Sequence, residues 1–479
     1  MAFHEPTELR YWDKMKAYNG YTLFAARFPP SGATYLIDME GNIVNQWLAG
    51  SHPVLLESGN FMDVILNDDM TYNGFQELDW DGNRVWEYCE KRKNYTPHHD
   101  FFRTFNKKLN AFTTMYIANR DISREEAIAA GCNPDNANDG SIDTIVEIDM
   151  NGNIVWEWRF IDHVIQDIDP TKPNYVGEGK TFADYPGKLN INLPGVPLRR
   201  DWLHCNSLDH HTELDQVAIN AVAGEFYLID HGKTFIPGDP QGSISLAAGP
   251  AGDFIYRFGD PARYGQGDPP SILEDWGTST TGHKQIGGSH NIQWIREGLP
   301  GAGHFLIFNN GGRLSASAPQ SYIFEINQYL DADGNDTGNY VNPPDVGYYT
   351  LGSEESKATH KRPKQISNQV VWIYDAKRST AFFSHNSSGC QRLPNGNTLI
   401  CATTEGHVFE VTNEGEVVWE YMNPVTIKGD ILEILPDCYL NTNYVWRAHR
   451  YTADHPALAG NDLTPKGTIT GKKPITYYR

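Results

Sequence analysis

Long apolar runs and excess positive charge are both missing from this sequence of 479 residues. No stretch approaches the roughly 18 consecutive apolar residues that indicate a membrane-spanning helix. Lys and Arg number 39 against 60 Asp and Glu, which gives a formal net charge of −21. This balance disfavours nucleic acid and anionic membrane surfaces, because both attract basic proteins. We therefore expect no nucleic-acid partner and no membrane partner.

An export signal is also missing from the N-terminus as written. The segment from Met1 to Pro6 has neither the basic start nor the apolar core of a secretory signal. The sequence therefore predicts a cytoplasmic protein, or a periplasmic one if a signal peptide was removed.

Cysteine is sparse, with six residues in the whole chain. No two of them form a Cys-x-x-Cys pair, which argues against a zinc knuckle. The even number permits disulfides without indicating any. A domain of this size does not need them for stability.

What the sequence does contain is a recurring short segment. In its strong copies a glycine-containing pair, such as Asn-Gly or Glu-Gly, is followed by a β-branched and aromatic run. The pair is expected to supply the positive φ angles of a two-residue turn, and the run is typical of a strand. Each copy therefore predicts a β-hairpin. The strong copies are 38–47, 79–88, 149–158 and 412–421, and two weaker copies are 252–258 and 368–374.

Six hairpins spread along one chain predict radial repetition. The fold class is therefore all-β, a six-bladed β-propeller with long inserted loops at one mouth. We expect an N-terminal lead-in over 1–20, a single propeller domain over 21–451 and a C-terminal tail over 452–479. The segment 444–451 is expected to pair with the N-terminal blade and so close the ring.

Insertions interrupt the repeats. The segment 123–130 predicts a short helix, because a serine stands at its start with a glutamate three residues on. Loops over about 160–201, 259–288 and 331–367 are long and rich in Pro, Gly and Asp. Long loops in a compact domain are usually functional. We expect at least two of the three to meet at one mouth of the propeller.

A histidine-containing element follows the repeats. In a propeller the first strand of each blade lies nearest the axis, so residues at the same point of successive blades form a ring. The sequence therefore predicts that several imidazoles converge on an axial channel. The ring positions are His99, His204, His290 and His385, with His52 as a further candidate.

Two chemistries use such a ring. Neutral imidazoles can hold a transition metal. Alternatively, one histidine acts as a nucleophile while the others donate hydrogen bonds to an anion. Arg313, which follows the His290 element, favours the second chemistry, because a guanidinium repels a metal cation and binds sulfate or phosphate oxygens.

Five further segments stand out together: 201–207, 289–291, 309–313, 392–400 and 446–451. In these segments the chain resembles a known family, the arylsulfate sulfotransferases (arylsulfotransferases, ASST). The resemblance spans nearly the whole chain. It implies a six-bladed propeller that moves a sulfuryl group between phenols without a nucleotide sulfate donor.

The resemblance also implies residue roles. His204, His290 and Arg313 match active-site residues of the family, and His385 best matches the histidine that carries the sulfuryl group. We therefore expect His204, His290, His385 and Arg313 to be catalytic. His99, Asn206 and Asn291 are expected to bind the substrate.

The leading function is an arylsulfotransferase that transfers a sulfuryl group from an aryl sulfate to a phenol through a sulfohistidine, with no cofactor. The runner-up is a metal-dependent enzyme with iron or copper held by His99, His204, His290 and His385. A third hypothesis is that the propeller serves only as a binding scaffold. The expected partners are small aromatic molecules, and the sequence leaves open a homo-oligomer.

Overall fold

The computed structural model describes most of the chain, and everything below concerns those residues. The described ranges are 5–26, 33–48, 52–67, 69, 71–193, 196, 198, 201–267, 284–311, 320–350, 365–375, 382–435 and 443–471.

Six small antiparallel sheets form a ring, which confirms the predicted six-bladed β-propeller. The blades are numbered here in chain order, and each is given from its first strand in the sheet outwards. Blade 1 is Val445–Thr452, Gly20–Ala26, Ala33–Ile37 and Ile43–Trp47. Blade 2 is Val54–Leu55, Phe61–Leu66, Tyr72–Leu78 and Arg84–Cys89. Blade 3 is Tyr95–Asn106, Ala111–Ile122, Gly140–Asp149 and Ile154–Arg159.

The second half of the chain forms the other three blades. Blade 4 is Cys205–His211, Gln216–Ala221, Glu225–Asp230 and Tyr256–Phe258. Blade 5 is His290–Trp294, Phe305–Asn309, Tyr322–Ile326 and Val370–Tyr374. Blade 6 is Gly389–Arg392, Thr398–Ala402, His407–Val411 and Val417–Met422, with Glu8–Trp12 as a fifth, outermost strand.

The two ends of the chain close the ring. Val445–Thr452 pairs antiparallel with Gly20–Ala26, as predicted, and so supplies the first strand of blade 1. Glu8–Trp12, within the predicted lead-in, pairs with the outer strand of blade 6. In the predicted tail, the N–H of Lys466 donates to the carbonyl of Ile43 at 2.8 Å. The proposed domain boundaries themselves stay a prediction.

The hairpin turns differ from the predicted two-residue type. In the copy that begins at Asp149, only Gly152 has a positive φ, at 80°. The N–H of Gly152 donates to the carbonyl of Asp149, and the Asp149 carboxylate accepts the N–H groups of Asn151 and Asn153. The turn is therefore longer than predicted, with the glycine at a bulge. An aspartate side chain takes over hydrogen bonding that a two-residue turn would not require.

Tryptophans of the outer strands join neighbouring blades. The indole N–H of Trp47 donates to the carbonyl of Asp79 at 3.1 Å, from blade 1 to the turn of blade 2. Trp419 of blade 6 donates in the same way to Met39 of blade 1, at 3.0 Å. The repeated tryptophan therefore has a structural reason, because it couples one hairpin to the next around the ring.

The insertions lie outside the six sheets. Arg124–Ala129 is an α-helix capped by the Ser123 side chain, which confirms the predicted helix. The three long loops contact one another: Gln266 Nε2 donates to the carbonyl of Ala183 at 2.7 Å, and the N–H of Ser367 donates to Gln285 Oε1 at 2.7 Å.

The remaining elements are short. Two further α-helices are His231–Thr234 and Pro240–Ala247. The 3-10 helices are Phe160–His163, Phe182–Asp184, Pro250–Gly252, Pro261–Tyr264, Thr403–Glu405 and Pro456–Leu458. Three two-stranded sheets pair Glu5–Pro6 with Ile434–Leu435, Val164–Ile165 with Leu189–Asn190, and Tyr348–Thr350 with Gln365–Ser367.

Two general properties follow from the described ranges. Among these residues, no helix is both long enough and apolar enough to cross a membrane. The five described cysteines are free thiols. They are Cys89, Cys132, Cys205, Cys390 and Cys401, and Cys438 lies outside the described residues.

Candidate functional site

The first strands of five blades share an unusual backbone feature. Each has a non-glycine residue with a positive φ within it or directly before it, a conformation that costs about 1 kcal/mol or more. In three of these strands, those with His99, Asn291 and Arg447, the pairing register shifts across that residue. Such a bulge re-aims a side chain that a regular strand would hold in the sheet. The residues are His99 (56°), His204 (54°), Asn291 (57°), Ser388 (85°) and Arg447 (36°).

Two of these positions bring imidazoles together. The ring centroids of His99 and His204 are 4.5 Å apart, and those of His98 and His99 are 5.0 Å apart. Burial lowers the pKa of His99 well below its usual value, and the nearby imidazoles of His98, His204, His290 and His52 lower it further. His99 is therefore a neutral imidazole among other imidazoles, so three predicted ring positions and the further candidate His52 lie in one region.

His204 is paired with a carboxylate. Its Nδ1 donates to Oδ2 of Asp201, three residues earlier in the chain. Burial alone would lower the pKa of His204, but the Asp201 carboxylate outweighs burial and raises it. The side chain is 41% exposed, which leaves Nε2 as the nitrogen available to a ligand. His204 is therefore the imidazole of the cluster that most readily carries a positive charge.

His290 is held differently. Its Nδ1 lies 2.7 Å from the carbonyl of Gly288 and 2.8 Å from Oδ1 of Asn310, so Nδ1 carries a hydrogen that it donates. Its Nε2 accepts the N–H of Ser387 at 3.2 Å. Both ring nitrogens of His290 therefore form hydrogen bonds with other residues of the propeller. This arrangement does not favour the iron or copper alternative, which needs a lone pair of His290 together with His99, His204 and His385.

His385 lies on the loop that His290 holds. The Asn310 amide donates to the carbonyls of Ser384 and Ser387, on either side of His385, at 2.7 and 3.0 Å. The imidazole is half-buried, with its centroid 6.4 Å from that of Phe383. Burial lowers the pKa of His385. His385 is therefore neutral at physiological pH.

Arg447 is a cation at the axis that sequence reasoning missed. Its Nη2 lies 2.9 Å from Oδ2 of Asp100, and both side chains are buried. The neighbouring Trp446 has its ring centroid 5.1 Å from that of His52 and 6.3 Å from that of His290. The signal was present, since 446–451 was one of the segments that carried the family resemblance.

Asn206 and Asn291 were expected to bind the substrate. Both are buried and bind the neighbouring blade: Asn206 Nδ2 donates to the carbonyl of Ser289 at 2.7 Å, and Asn291 Oδ1 accepts the N–H of Cys390 at 3.0 Å. These contacts align blades 4, 5 and 6 around the axis. A role in substrate binding stays a prediction for both residues. Arg313 lies outside the described residues, so its role also stays a prediction.

Two groups of histidines and carboxylates were not foreseen. His98, Asp143 and Asp201 offer ligand atoms within 4.8 Å of one another beside the imidazole ring, and His210, Asp215 and His231 do so elsewhere. Asp201 stands in the quoted segment 201–207 and could have been found as an acidic partner of His204. Asp143 carries no such signal, because nothing in the sequence around it marks it out.

Comparisons with known proteins bear on the family and the fold. A sequence model of the arylsulfotransferase (ASST) family matches residues 31–221, which confirms the predicted resemblance over that range. The match supports an arylsulfotransferase-type function and suggests a transferase. A search of curated proteins found no match.

The solved structures found by comparison are only distantly similar to this chain. A Bacteroides caccae protein of unknown function shares 11% identity over 87% of this chain and 98% of its own, with a TM-score of 0.37. Sqt1 of Saccharomyces cerevisiae shares 8% identity over 87% of this chain and 88% of its own, with a TM-score of 0.28. Similarity at this level carries no information about activity.

Proposed function

We propose, from the match of the arylsulfotransferase family model to residues 31–221, that this propeller transfers a sulfuryl group from an aryl sulfate to a phenolic acceptor. The transfer proceeds in two steps through a histidine, without a nucleotide donor. In the first step a ring nitrogen forms a bond to sulfur while the bond from sulfur to the phenolic oxygen breaks. In the second step a phenol takes the sulfuryl group from the histidine.

His385 is the proposed nucleophile. An imidazole attacks sulfur only with a free lone pair, so it must be neutral. Burial lowers the pKa of His385, which keeps it neutral at physiological pH. The hydrogen bonds from Asn310 to both sides of its loop support a fixed position for the ring.

His204 is the proposed charge-stabilising group. The leaving phenolate and the sulfuryl oxygens are anionic, and a positively charged donor lowers the barrier most when it is fixed in advance. The Asp201 carboxylate raises the pKa of His204 and holds its Nδ1. Nε2 of the imidazolium can then donate to a sulfuryl oxygen or protonate the leaving oxygen.

His99 and His290 support these two groups. Neutral His99 packs against His204 in an edge-to-face arrangement, with an interplanar angle of 70°. His290 accepts the N–H of Ser387 and so positions the loop that carries His385. Arg313 is proposed to bind sulfuryl oxygens beside His204.

The contrast between two imidazoles of one propeller supports these assigned roles. His204 has a raised pKa through its partner Asp201, and His385 has a lowered pKa through burial. One is suited to donate a proton and the other to attack, and a sulfuryl transfer through histidine requires both.

A burst experiment tests the proposal. Enzyme mixed with a chromogenic aryl sulfate, with no acceptor, should release about one phenol per active site and then stop. Mass spectrometry should find a sulfuryl group on the peptide that contains His385. His385→Ala should abolish both signals.

His455→Ala is the matched control, because burial also lowers the pKa of His455, which lies in the C-terminal segment away from the ring. It should give a normal burst. A normal burst in His385→Ala, or no phenol release from any of a broad set of aryl sulfates, would contradict the proposed mechanism.

A further inference from the structure

Blade 3 carries a histidine, an amide and a carboxylate on its first, second and third strands, beside the imidazole cluster. His98 lies at the bulge of Tyr95–Asn106. Asn119 and Asp143 stand directly opposite each other on the next two strands. Asp201, in the loop before blade 4, completes the group, since Asn119 Nδ2 donates to its Oδ1 at 3.3 Å. Four side chains with ligand atoms thus lie around one point.

Three buried polar atoms at this point have no hydrogen-bond partner. Asp143 is fully buried, and its Oδ2 has no hydrogen-bond partner. Nε2 of His98 and Oδ1 of Asn119 are also buried without one. Nε2 of His98 lies 3.1 Å from Oδ1 of Asp143, but the two are not aligned for a hydrogen bond. A buried polar atom without a partner is rare in proteins and calls for an explanation.

Only imidazoles stand near the charge of Asp143: His98 contacts it, and His204 already pairs with Asp201. Asp143 Oδ1 accepts a hydrogen bond from the N–H of Cys205 at 3.2 Å, which is a neutral donor. The other carboxylate, Asp201, is already paired with His204. Burying a carboxylate without a cation is costly, so a positive charge is expected beside Asp143.

We infer that His98, Asp143 and Asp201 bind one divalent transition-metal cation. The side-chain amide oxygen of Asn119, Oδ1, is the fourth ligand. One imidazole and two carboxylates are a ligand set typical of Mn²⁺, Fe²⁺ or Zn²⁺. Mg²⁺ and Ca²⁺ prefer oxygen ligands only, so they bind this set more weakly. This site differs from the four-histidine metal alternative, with which it shares no residue.

The second histidine–carboxylate group provides the contrast. Nδ1 of His231 contacts Asp215 Oδ1 at 2.6 Å, and its Nε2 contacts Glu147 Oε2 at 3.0 Å. His210 contacts Thr104 and Asp215 through its two nitrogens, at 2.7 and 3.1 Å. Every imidazole nitrogen there has a partner, so that network needs no cation.

The cation has a consequence for the axial site. Asp201 would bind the metal through Oδ1 while its Oδ2 keeps the hydrogen bond of His204, a geometry in which the metal fixes the orientation of the imidazole through the shared carboxylate. This consequence rests on the proposed function, but the binding of the cation does not.

Metal titration of the whole chain tests the inference without any substrate. Protein stripped with a chelator is titrated with Mn²⁺, followed by electron paramagnetic resonance, and with Zn²⁺, followed by calorimetry. We expect about one cation per chain, with Mg²⁺ and Ca²⁺ binding at least about tenfold more weakly. Asp143→Asn and His98→Gln should each weaken Mn²⁺ binding by about tenfold or more.

Thermal unfolding distinguishes a lost ligand from a lost fold. Without metal, Asp143→Asn should be at least as stable as the unaltered protein, because it removes a buried charge. With Mn²⁺, only the unaltered protein should gain melting temperature.

His210→Gln is the matched control and should bind Mn²⁺ normally. Absence of stoichiometric binding at millimolar Mn²⁺ and Zn²⁺ would overturn the inference. So would binding that survives Asp143→Asn and His98→Gln, or that is lost in His210→Gln. A burst of phenol from metal-free protein would leave the proposed function intact while excluding a required role for the cation.

Discussion

Arg447 of blade 1 places its Nη2 2.9 Å from Oδ2 of Asp100 in blade 3. The two blades are not neighbours in the ring, so this ion pair joins the closing strand to the axial strand of blade 3. Asp100 also accepts the N–H of Leu208, in blade 4, at 3.0 Å. Burial raises the pKa of Asp100, and the guanidinium partly offsets that effect. The ion pair therefore links Val445–Thr452, the first strand of blade 1, to the first strand of blade 3 at the centre of the propeller.

Replacement of the arginine alone should be more damaging than replacement of both partners. Arg447→Met leaves a buried carboxylate without its cation, and loss of one partner of a buried pair typically costs about 3–5 kcal/mol. The double variant Arg447→Met with Asp100→Asn removes the stranded charge and should recover part of that loss. Urea unfolding of the two variants measures the difference. A double variant less stable than Arg447→Met would show that the pair does not act as a buried ion pair.

The blades were predictable because their signal is local and repeated. Glycine turns followed by β-branched and aromatic residues recur in the chain, and a repeat at the same phase also places His99, His204 and His290 near one axis. The turn type was wrong, because the Asp149 carboxylate replaces hydrogen bonds that the sequence pattern does not display. The periodicity of a sequence therefore predicts the strands of such a scaffold and the side chains that occupy equivalent positions in successive blades.

The partners of the histidines were not predictable in the same way. Asp143 reaches the axial site only because its strand lies beside that of Asn119, and such pairing is not visible in the sequence. Arg447 points to Asp100 through a backbone φ of 36°, which no residue pattern requires of an arginine. The tautomer of His290 depends on Asn310, twenty residues on. Contacts within and between blades fix the chemistry, and they depend on the folded chain.

Ring closure on the outer side should depend on one indole. Trp419 is fully buried and donates to the carbonyl of Met39, so Trp419→Phe keeps the apolar ring but leaves that carbonyl without its donor. We expect a loss of about 1–3 kcal/mol in the free energy of unfolding. The control is Trp86→Phe, which removes the equivalent bond to Met150 at a half-buried site where water can replace it. Equal losses in the two variants would argue against a special role for ring closure.

Stability should fall at alkaline pH because of His231. Burial alone would lower its pKa, but Glu147 and Asp215 outweigh burial and raise it to about 9. A raised pKa means that the folded state binds the proton more tightly, so the contribution is complete below the unfolded value of about 6.5 and is lost as pH rises through 9. At about 1.4 kcal/mol per pKa unit, the loss is on the order of 3 kcal/mol.

Urea midpoints measured from pH 6 to pH 10, roughly the range over which His231 titrates, test this dependence. His231→Gln should flatten the decline, since glutamine does not titrate. His211→Gln is the control, because burial lowers the pKa of His211 and so moves its titration away from the alkaline range. An unchanged slope in His231→Gln would assign the alkaline loss to another group.

The pair of Asp201 and His204 makes a prediction about the pH dependence of the reaction. With Asp201 present, the pKa of His204 is raised, so its proton is retained to higher pH and is lost on the alkaline side. Asp201→Asn removes the carboxylate but keeps the shape, and burial should then lower the pKa of His204. The alkaline limb of the burst rate should move to lower pH. The acid limb, set by protonation of His385, should stay in place, because burial alone lowers that pKa.

The measurement is the rate of phenol release in the burst, as a function of pH, with a chelator present so that no bound cation contributes. The matched control is Asp253→Asn. Asp253 pairs with His163 at 2.8 Å in the same manner, but outside the axial site. That variant should keep both limbs. If Asp201→Asn instead moves the acid limb, His204 rather than His385 is the imidazole that must be neutral, and the two histidines exchange roles in the proposed mechanism.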